Sequence, residues 1–190
     1  MQKLKDGVRG VTLGVREARN FERIATCGVN TPELVAYGNS TSWLVPHHSY
    51  LIMKEIRPAE TLWDYVRRTR DTSIATEAGE LLWMIHCHGL VHRDLHSKNI
   101  LLKQDGNGRR LYVIDMLGVG PSSSQSERIV ELVRFLRKHG RVWLNEEAVD
   151  LFCLNYYQLG REPVEKYRDY NQFRDIIDKE LSKYRSYGET

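Results

Sequence analysis

The feature that most limits the fold is a polar loop held between two apolar elements, GLVHRDLHSKNILL at residues 89–102. Upstream, SIATEAGELLWMIHCHG places Ile74, Ala78, Leu81, Leu82 and Ile85 at helical spacing, and Gly89 supplies the stop. Asp71, Thr72 or Ser73 is available to cap its start. Downstream, ILLKQDGNGRRLYVID has the pattern of a hairpin with DGNG as the turn. Apolar anchors on both sides hold the polar side chains of such a loop in fixed positions.

Those side chains suit one kind of chemistry. Asp94 can accept a proton from an incoming hydroxyl, and Asn99 can offer its amide oxygen to a hard cation. Hairpin pairing predicts that Asp115, at the end of LYVID, returns beside Asn99. A few oxygen donors of this sort fit Mg²⁺, which takes one or two protein carboxylates and leaves the rest of its octahedron to phosphates and water. The implied reaction is phosphoryl transfer, where positioning and charge neutralisation dominate.

The rest of the chain sets the frame. With 190 residues it has room for a sizeable core, and 41% hydrophobic with 28% charged residues is ordinary for a soluble globular protein. A net charge of +3 without clustering predicts no nucleic-acid partner, and it does not oppose an anionic ligand or membrane surface. Cys27, Cys87 and Cys153 are scattered, which points to a reducing compartment. No apolar run is long enough to span a bilayer and no leader pattern opens the chain, so a cytoplasmic protein is expected.

A helix is predicted over 15–27, with Ala18, Phe21, Ile24 and Ala25 on one face, Glu17 at its edge and Gly28 as the cap. The β-rich runs ELVAYG, TSWLVP and SYLIMKEI predict a small antiparallel sheet covering that helix. Then come a short helix at ETLWDYVRRT and further helices over roughly 125–139, 146–158 and 163–184. The fold class is therefore α+β. Residues 1–57 form a smaller strand-containing part, residues 58–190 a larger helical part, and a hinge lies near Met53 to Arg57.

His92-Arg93-Asp94-Leu95-x-x-x-Asn99 resembles the catalytic loop of the protein kinases. The detail is more similar to the lipopolysaccharide-core sugar kinases, the heptose and Kdo kinases. REARNFERIATCGVNTPELVAYG resembles their helix C and following strand, and LLWMIHCHGLVHRDLHSKNILL, LYVID, ERIVELVRFLRKHG and EEAVDLFCLNYYQLG continue the likeness over roughly residues 15–160. The resemblance implies a protein-kinase-like fold, with a helical C-lobe and a reduced N-lobe of small antiparallel sheet plus helix C. It implies ATP- and Mg²⁺-dependent transfer to a sugar or glycolipid hydroxyl in lipopolysaccharide biosynthesis. Asp94 would be the base, Asn99 and Asp115 would hold Mg²⁺, and Glu17 would be the helix C glutamate. Met53 and Glu55 would belong to a hinge segment, Met53 to Ile56, whose backbone faces adenine. Peripheral contact with the inner face of the membrane follows from a glycolipid acceptor.

Three departures qualify the pattern. Asp115 is followed by Met116, Leu117 and Gly118 rather than Phe-Gly, and no Ala-Pro-Glu sequence follows. Both favour a small hydroxyl acceptor over a peptide. Only 16 residues precede Glu17, too few for a glycine-rich hairpin and a lysine strand. Gly7, Gly10 and Gly14 stand too close to the helix, and Lys3 or Lys5 would serve only by folding back. The expectation is a kinase fold lacking its first strands. The alternative functions are a catalytically weak pseudokinase or kinase fragment that binds a partner, and an antibiotic-type phosphotransferase.

Other features have ordinary readings. His92 and His96 have the spacing of a zinc pair, but Gly89 ends the helix that would align them, and His92 is expected to pack. Glu17 and Lys98 would be solvated charges in a chain without catalysis. Trp43, Trp63, Trp83 and Trp143 are expected in the core or between the two parts.

Overall fold

The computed structural model describes residues 12–42, 45–106, 108–122, 124–138, 145–160 and 169–185. Helix α1 (Leu13–Thr26) buries Ala18, Asn20, Phe21 and Ile24 along one stripe. Gly28, at φ 79°, turns the chain out of it. Strands β1 (Leu34–Ser42) and β2 (Val45–Met53) pair antiparallel, with Gly38 opposite Tyr50 and Ser42 opposite Val45. The sequence suggests three strands here, and the structure has two. The change of direction falls inside TSWLVP, because Ser42 and Val45 already face each other across the ladder. Pro46 has no N–H to give a ladder, and it lies beside the register shift between Ser40 and Thr41. The α1 helix lies against this hairpin, with the Gly14 amide donating to Ser49 Oγ at 3.0 Å.

Strand β3 (Glu60–Thr61) runs into α2 (Leu62–Thr69), whose cap is Thr61: its hydroxyl accepts from the Asp64 amide at 3.1 Å. Helix α3 (Ile74–Cys87) buries each of the five apolar residues expected on its face. Of the three candidate caps, Asp71 is the one used. Its Oδ1 accepts from the Ser73 amide at 2.9 Å, whereas Ser73 itself makes no cap bond. Gly89, at φ 71°, ends the segment.

Strands β4 (Leu90–Val91) and β7 (Gly120–Pro121) form a two-residue antiparallel ladder. Between them lie a 3-10 turn (Ser97–Asn99) and the hairpin of β5 (Ile100–Asp105) and β6 (Gly108–Val113). Strand β3 adds to the far edge, giving the order β3-β5-β6. Helices α4 (Gln125–Arg137), α5 (Glu146–Leu159) and α6 (Tyr170–Arg185) follow. The expected ends at 139 and 163, together with Lys3, Lys5, Gly7, Gly10, Trp43 and Trp143, lie outside the described residues. Trp83 packs against the edge of the core and Trp63 is half-buried.

One apolar core joins these elements. It takes Phe21 and Ile24 from α1, Leu82 and Ile85 from α3, Ile100 and Val113 from the hairpin, and Phe135, Phe152 and Phe173 from the last three helices. Each such side chain contributes about 1.5–3 kcal/mol when fully buried. The small sheet and α1 are therefore held to the helical part by the same core that shapes the loop after α3.

Candidate active site

The loop after α3 is fixed from beneath. The His92 amide donates to both oxygens of Glu131, at 2.8 and 3.0 Å. Glu131 also bonds His86 Nε2 at 2.9 Å, and His86 Nδ1 bonds the Tyr156 hydroxyl at 2.7 Å. All four residues are buried, so α3, α4 and α5 converge on the backbone two residues before Asp94. The His92 ring is fully buried. Burial pushes its pKa below the ordinary imidazole value, against the opposing pull of Glu131. His92 is thus the packing residue the sequence suggests. His86 and His88 bond elsewhere, the latter to the Met84 carbonyl at 2.8 Å.

The loop is also held from above. Arg93 sits at φ 57°, uncommon for a residue with a Cβ. Its side chain donates to Glu127 at 2.8 Å and to the Pro121 carbonyl at 3.0 Å. The Ser122 amide donates to the Gly89 carbonyl at 2.8 Å. Gly118 explains why the segment after β6 fits so closely: a Cβ there would lie 2.1 Å from the His92 carbonyl oxygen. Leu95 is buried and anchors the far side.

Asp94 projects from this clamped loop with 56% of its side chain exposed. Burial pushes its pKa up, but the Lys138 ammonium on Oδ1, with smaller help from His96 and His92, outweighs that and holds it below the usual carboxylate value. The carboxylate is therefore ionised at neutral pH. Asn99 donates a long bond, 3.5 Å, to the Asp94 carbonyl. The Ile114 amide donates to the Asn99 carbonyl at 2.9 Å, so Asp115 follows one residue beyond Asn99's partner. Asp115 lies past the end of β6 rather than within the strand, at φ 61°.

Helix α1 reaches the same place. Glu17 Oε1 accepts from the Met116 amide at 3.2 Å. Burial pushes its pKa up; the Met116 N–H opposes this, and the nearby negative charge of Asp115 adds to it. One turn on, Asn20 donates to the carbonyls of Met116 and Val119, at 2.8 and 3.2 Å. Asn99 is thus bonded to the backbone of Asp94 on one side and of Ile114, before Asp115, on the other, while Glu17 bonds the backbone of Met116, after Asp115. Met53 and Glu55 make no bond to these four: Lys54, between them, bonds Glu33 through its amide at 2.8 Å, and Glu55 pairs with Arg57 at 2.6 Å on the surface.

The donor set suits a hard divalent cation. Asn99 and Asp115 offer oxygen atoms from one end of the hairpin and bring a single negative charge, the sparse protein share that Mg²⁺ accepts. Among the described residues no group of three or more His, Cys, Asp or Glu side chains could hold a metal by itself.

Three participants were not read from the sequence. Glu131 had a visible signal, an acid within the apolar stretch Ile129 to Leu136 of α4. Asn20 lay beside the buried stripe of α1. Lys138 is one cation of RFLRKHG and carried no signal of its own.

A helix, a clamped catalytic-type loop, an oxygen-bearing hairpin and a glutamate reaching over from α1 define a kinase-like protein. The chain belongs to the lipopolysaccharide kinase (Kdo/WaaP) family, whose model matches residues 7–138. Solved structures agree on the fold. WaaP in complex with acyl carrier protein superposes with a TM-score of 0.69 at 20% identity, covering 90% of this chain and 76% of that one. WbdD in a co-crystal with a kinase inhibitor gives 0.52 at 18% identity, over 88% of this chain and 36% of that one. No curated protein matches the sequence by direct comparison. The fold is the expected α+β, protein-kinase-like class, and the family gives the chain a kinase-like role connected with lipopolysaccharide.

Proposed function

We propose that the chain is an ATP- and Mg²⁺-dependent phosphotransferase acting on a sugar or glycolipid hydroxyl. The observation that carries this reading is Asp94, an ionised, solvent-facing carboxylate on a loop clamped by Glu131 and Gly118. Asp94 orients the acceptor hydroxyl through its free oxygen and takes its proton as the new bond forms. Asn99 and Asp115 would hold the divalent ion, and Glu17 keeps Met116, next to Asp115, in place. The backbone of Met53 to Ile56, with Glu55 in it, would meet adenine at the hinge. Bound Mg-ATP supplies the phosphoryl group and the charge neutralisation that its transfer requires. Residues 1–57 act as the smaller lobe and 58–190 as the larger.

With a glycolipid acceptor, the protein would work in the cytoplasm, peripherally at the inner membrane face. Among the described residues no helix is long and apolar enough to cross a membrane. By analogy with the WaaP complex, an acyl carrier protein is a candidate protein partner.

Phosphate transfer from labelled ATP to a lipopolysaccharide-core oligosaccharide tests the reading. Asp94→Asn is expected to lower turnover by roughly 10²- to 10⁴-fold, the usual worth of a general base. A fully active variant would remove Asp94 from the mechanism. The second reading is a binding module, favoured by Lys138, which occupies one oxygen of Asp94. Thermal unfolding with Mg-ATP separates the two. Nucleotide at about 100 times its Kd stabilises a true site by roughly 2.7 kcal/mol, whereas no shift at millimolar nucleotide leaves the binding module.

A further inference from the structure

Helix α2 carries a row of side chains turned away from the core. Trp63, Arg67 and Arg70 follow one another at spacings of four and three residues, so they share one side of the helix, away from the buried Leu62, Tyr65 and Val66. Arg67 and Arg70 are exposed and Trp63 is half-buried. Lys98, from the 3-10 turn, joins the row: its ammonium lies 5.5 Å from the centroid of the Trp63 ring. Among the described residues Arg67, Arg70 and Lys98 form no ion pair, whereas Arg68, on the other flank of the helix, is matched by Glu60. Elsewhere on the surface Lys54, Arg110 and Arg174 each meet a carboxylate. The helix's own acid, Asp64, is bonded to the Thr61 hydroxyl at 2.6 Å.

A solvated helix end is the ordinary account. Cations in a last turn complement the helix dipole, which covers Arg67 and Arg68. It does not cover Arg70, which lies past the helix at φ 60°, or Lys98, which belongs to another element. Nor does it explain a tryptophan ring among these charges. Indole beside guanidinium and ammonium groups suits a lipid headgroup layer. The ring takes the boundary between apolar and wet, and each cation near an anionic surface strengthens binding about fivefold. An acidic protein would answer the charges but would give Trp63 no apolar layer to enter. The location fits as well. Strand β3 pairs with Leu101 and Leu102, and α2 rests on the 3-10 turn that ends at Asn99. The row therefore flanks the loop that carries Asp94.

We infer that Trp63, Arg67, Arg70 and Lys98 form the surface by which this protein rests on an anionic lipid bilayer, with the Asp94 loop beside the headgroups. The inference gives the membrane contact a place on the fold. Its purpose rests on the reading of the protein as a glycolipid kinase, but lipid binding is measured without ATP or acceptor.

The experiment is co-sedimentation of the full chain with vesicles of phosphatidylcholine alone and of phosphatidylcholine mixed with phosphatidylglycerol. The chain is expected to bind the mixed vesicles and to ignore the neutral ones. Arg67→Gln/Arg70→Gln should weaken that binding by roughly 25-fold, two cations at about fivefold each. Lys179→Gln/Lys183→Gln removes the same charge from α6 and should bind like the parent chain. Tryptophan emission should shift to the blue on vesicle addition, and Trp63→Phe should lose that shift. Circular dichroism and the melting temperature check that the variants fold. No binding to mixed vesicles, equal losses in the two double variants, or full binding by a folded Arg67→Gln/Arg70→Gln overturns the inference. Binding of soluble polyglutamate in place of vesicles would assign the row to an acidic protein and overturn it too. Vesicle binding by a chain inert toward ATP would uphold the surface and sink the kinase reading. Transfer to a soluble oligosaccharide by a chain that ignores vesicles would do the reverse.

Discussion

Glu131 should be the most sensitive position outside the reacting groups. Replacing it with alanine strands two buried partners at once, the His92 amide and His86 Nε2. Each stranded group costs about 1–3 kcal/mol, so Glu131→Ala is expected to lose roughly 2–6 kcal/mol before any cavity term. Against a typical total of about 5–15 kcal/mol, that brings the fold close to its limit. Glu131→Gln keeps the shape and one oxygen for the His92 amide, and should lose only about 1–2 kcal/mol. Urea unfolding reads the first quantity. Hydrogen exchange at the His92 amide reads the local one, since this N–H has no other partner and is fully buried. Turnover reads the consequence for Asp94, where a misplacement of about 1 Å can cost on the order of 10²-fold. An unchanged unfolding midpoint together with unchanged protection of the His92 amide in Glu131→Ala would refute the reasoning, because the clamp would then carry no weight.

Gly118→Ala puts a methyl group 2.1 Å from the His92 carbonyl oxygen, so the segment after β6 has to move. Turnover should fall by about 10²-fold with a lowered melting temperature, and a variant with normal kinetics would show that the two loops are not in register. Stability should also fall with acid through His92. Its folded pKa is depressed by burial from an ordinary 6.5, so below about pH 6.5 the unfolded chain binds the extra proton. The unfolding free energy should therefore decline as pH drops from 7 toward 5. Comparison of melting curves should show a shallower decline in His92→Gln; identical pH slopes would assign the effect to other groups.

The catalytic-type loop and its hairpin were legible because the information is local. His92, Asp94 and Asn99 sit within eight positions, and the apolar residues on either side fix both anchors by spacing alone. The helix faces were legible for the same reason. The ladder of Leu90–Val91 with Gly120–Pro121 was not, since two residues are too few to show a period. TSWLVP misled because its β-branched and aromatic residues resemble a strand, whereas the pairing of Ser42 with Val45 decides where the chain turns. Lys138 and Glu131 are 44 and 39 residues from their partners Asp94 and His92. Only the packing of α4 and its C-cap makes either contact; the acid within the apolar stretch of that helix marks Glu131 as unusual but does not name its partner, and Lys138 carries no mark at all.

Helix α1 and the residues just after it are tied to β6 and the segment that follows it at several points. Glu17 accepts from Met116, Asn20 donates to Met116 and Val119, and the Asn30 carbonyl accepts from Val113 at 3.0 Å just beyond the helix. Swinging the helix outward would exchange these hydrogen bonds for bonds to water, at about 0.5–1.5 kcal/mol for each, and would expose Phe21 and Ile24, at about 1.5–3 kcal/mol for each side chain. A displaced conformer costing even 3 kcal/mol is populated at under about 1%. The helix therefore behaves as a fixed wall and not as a lever, so the segment that carries Asp115 has a rigid backing.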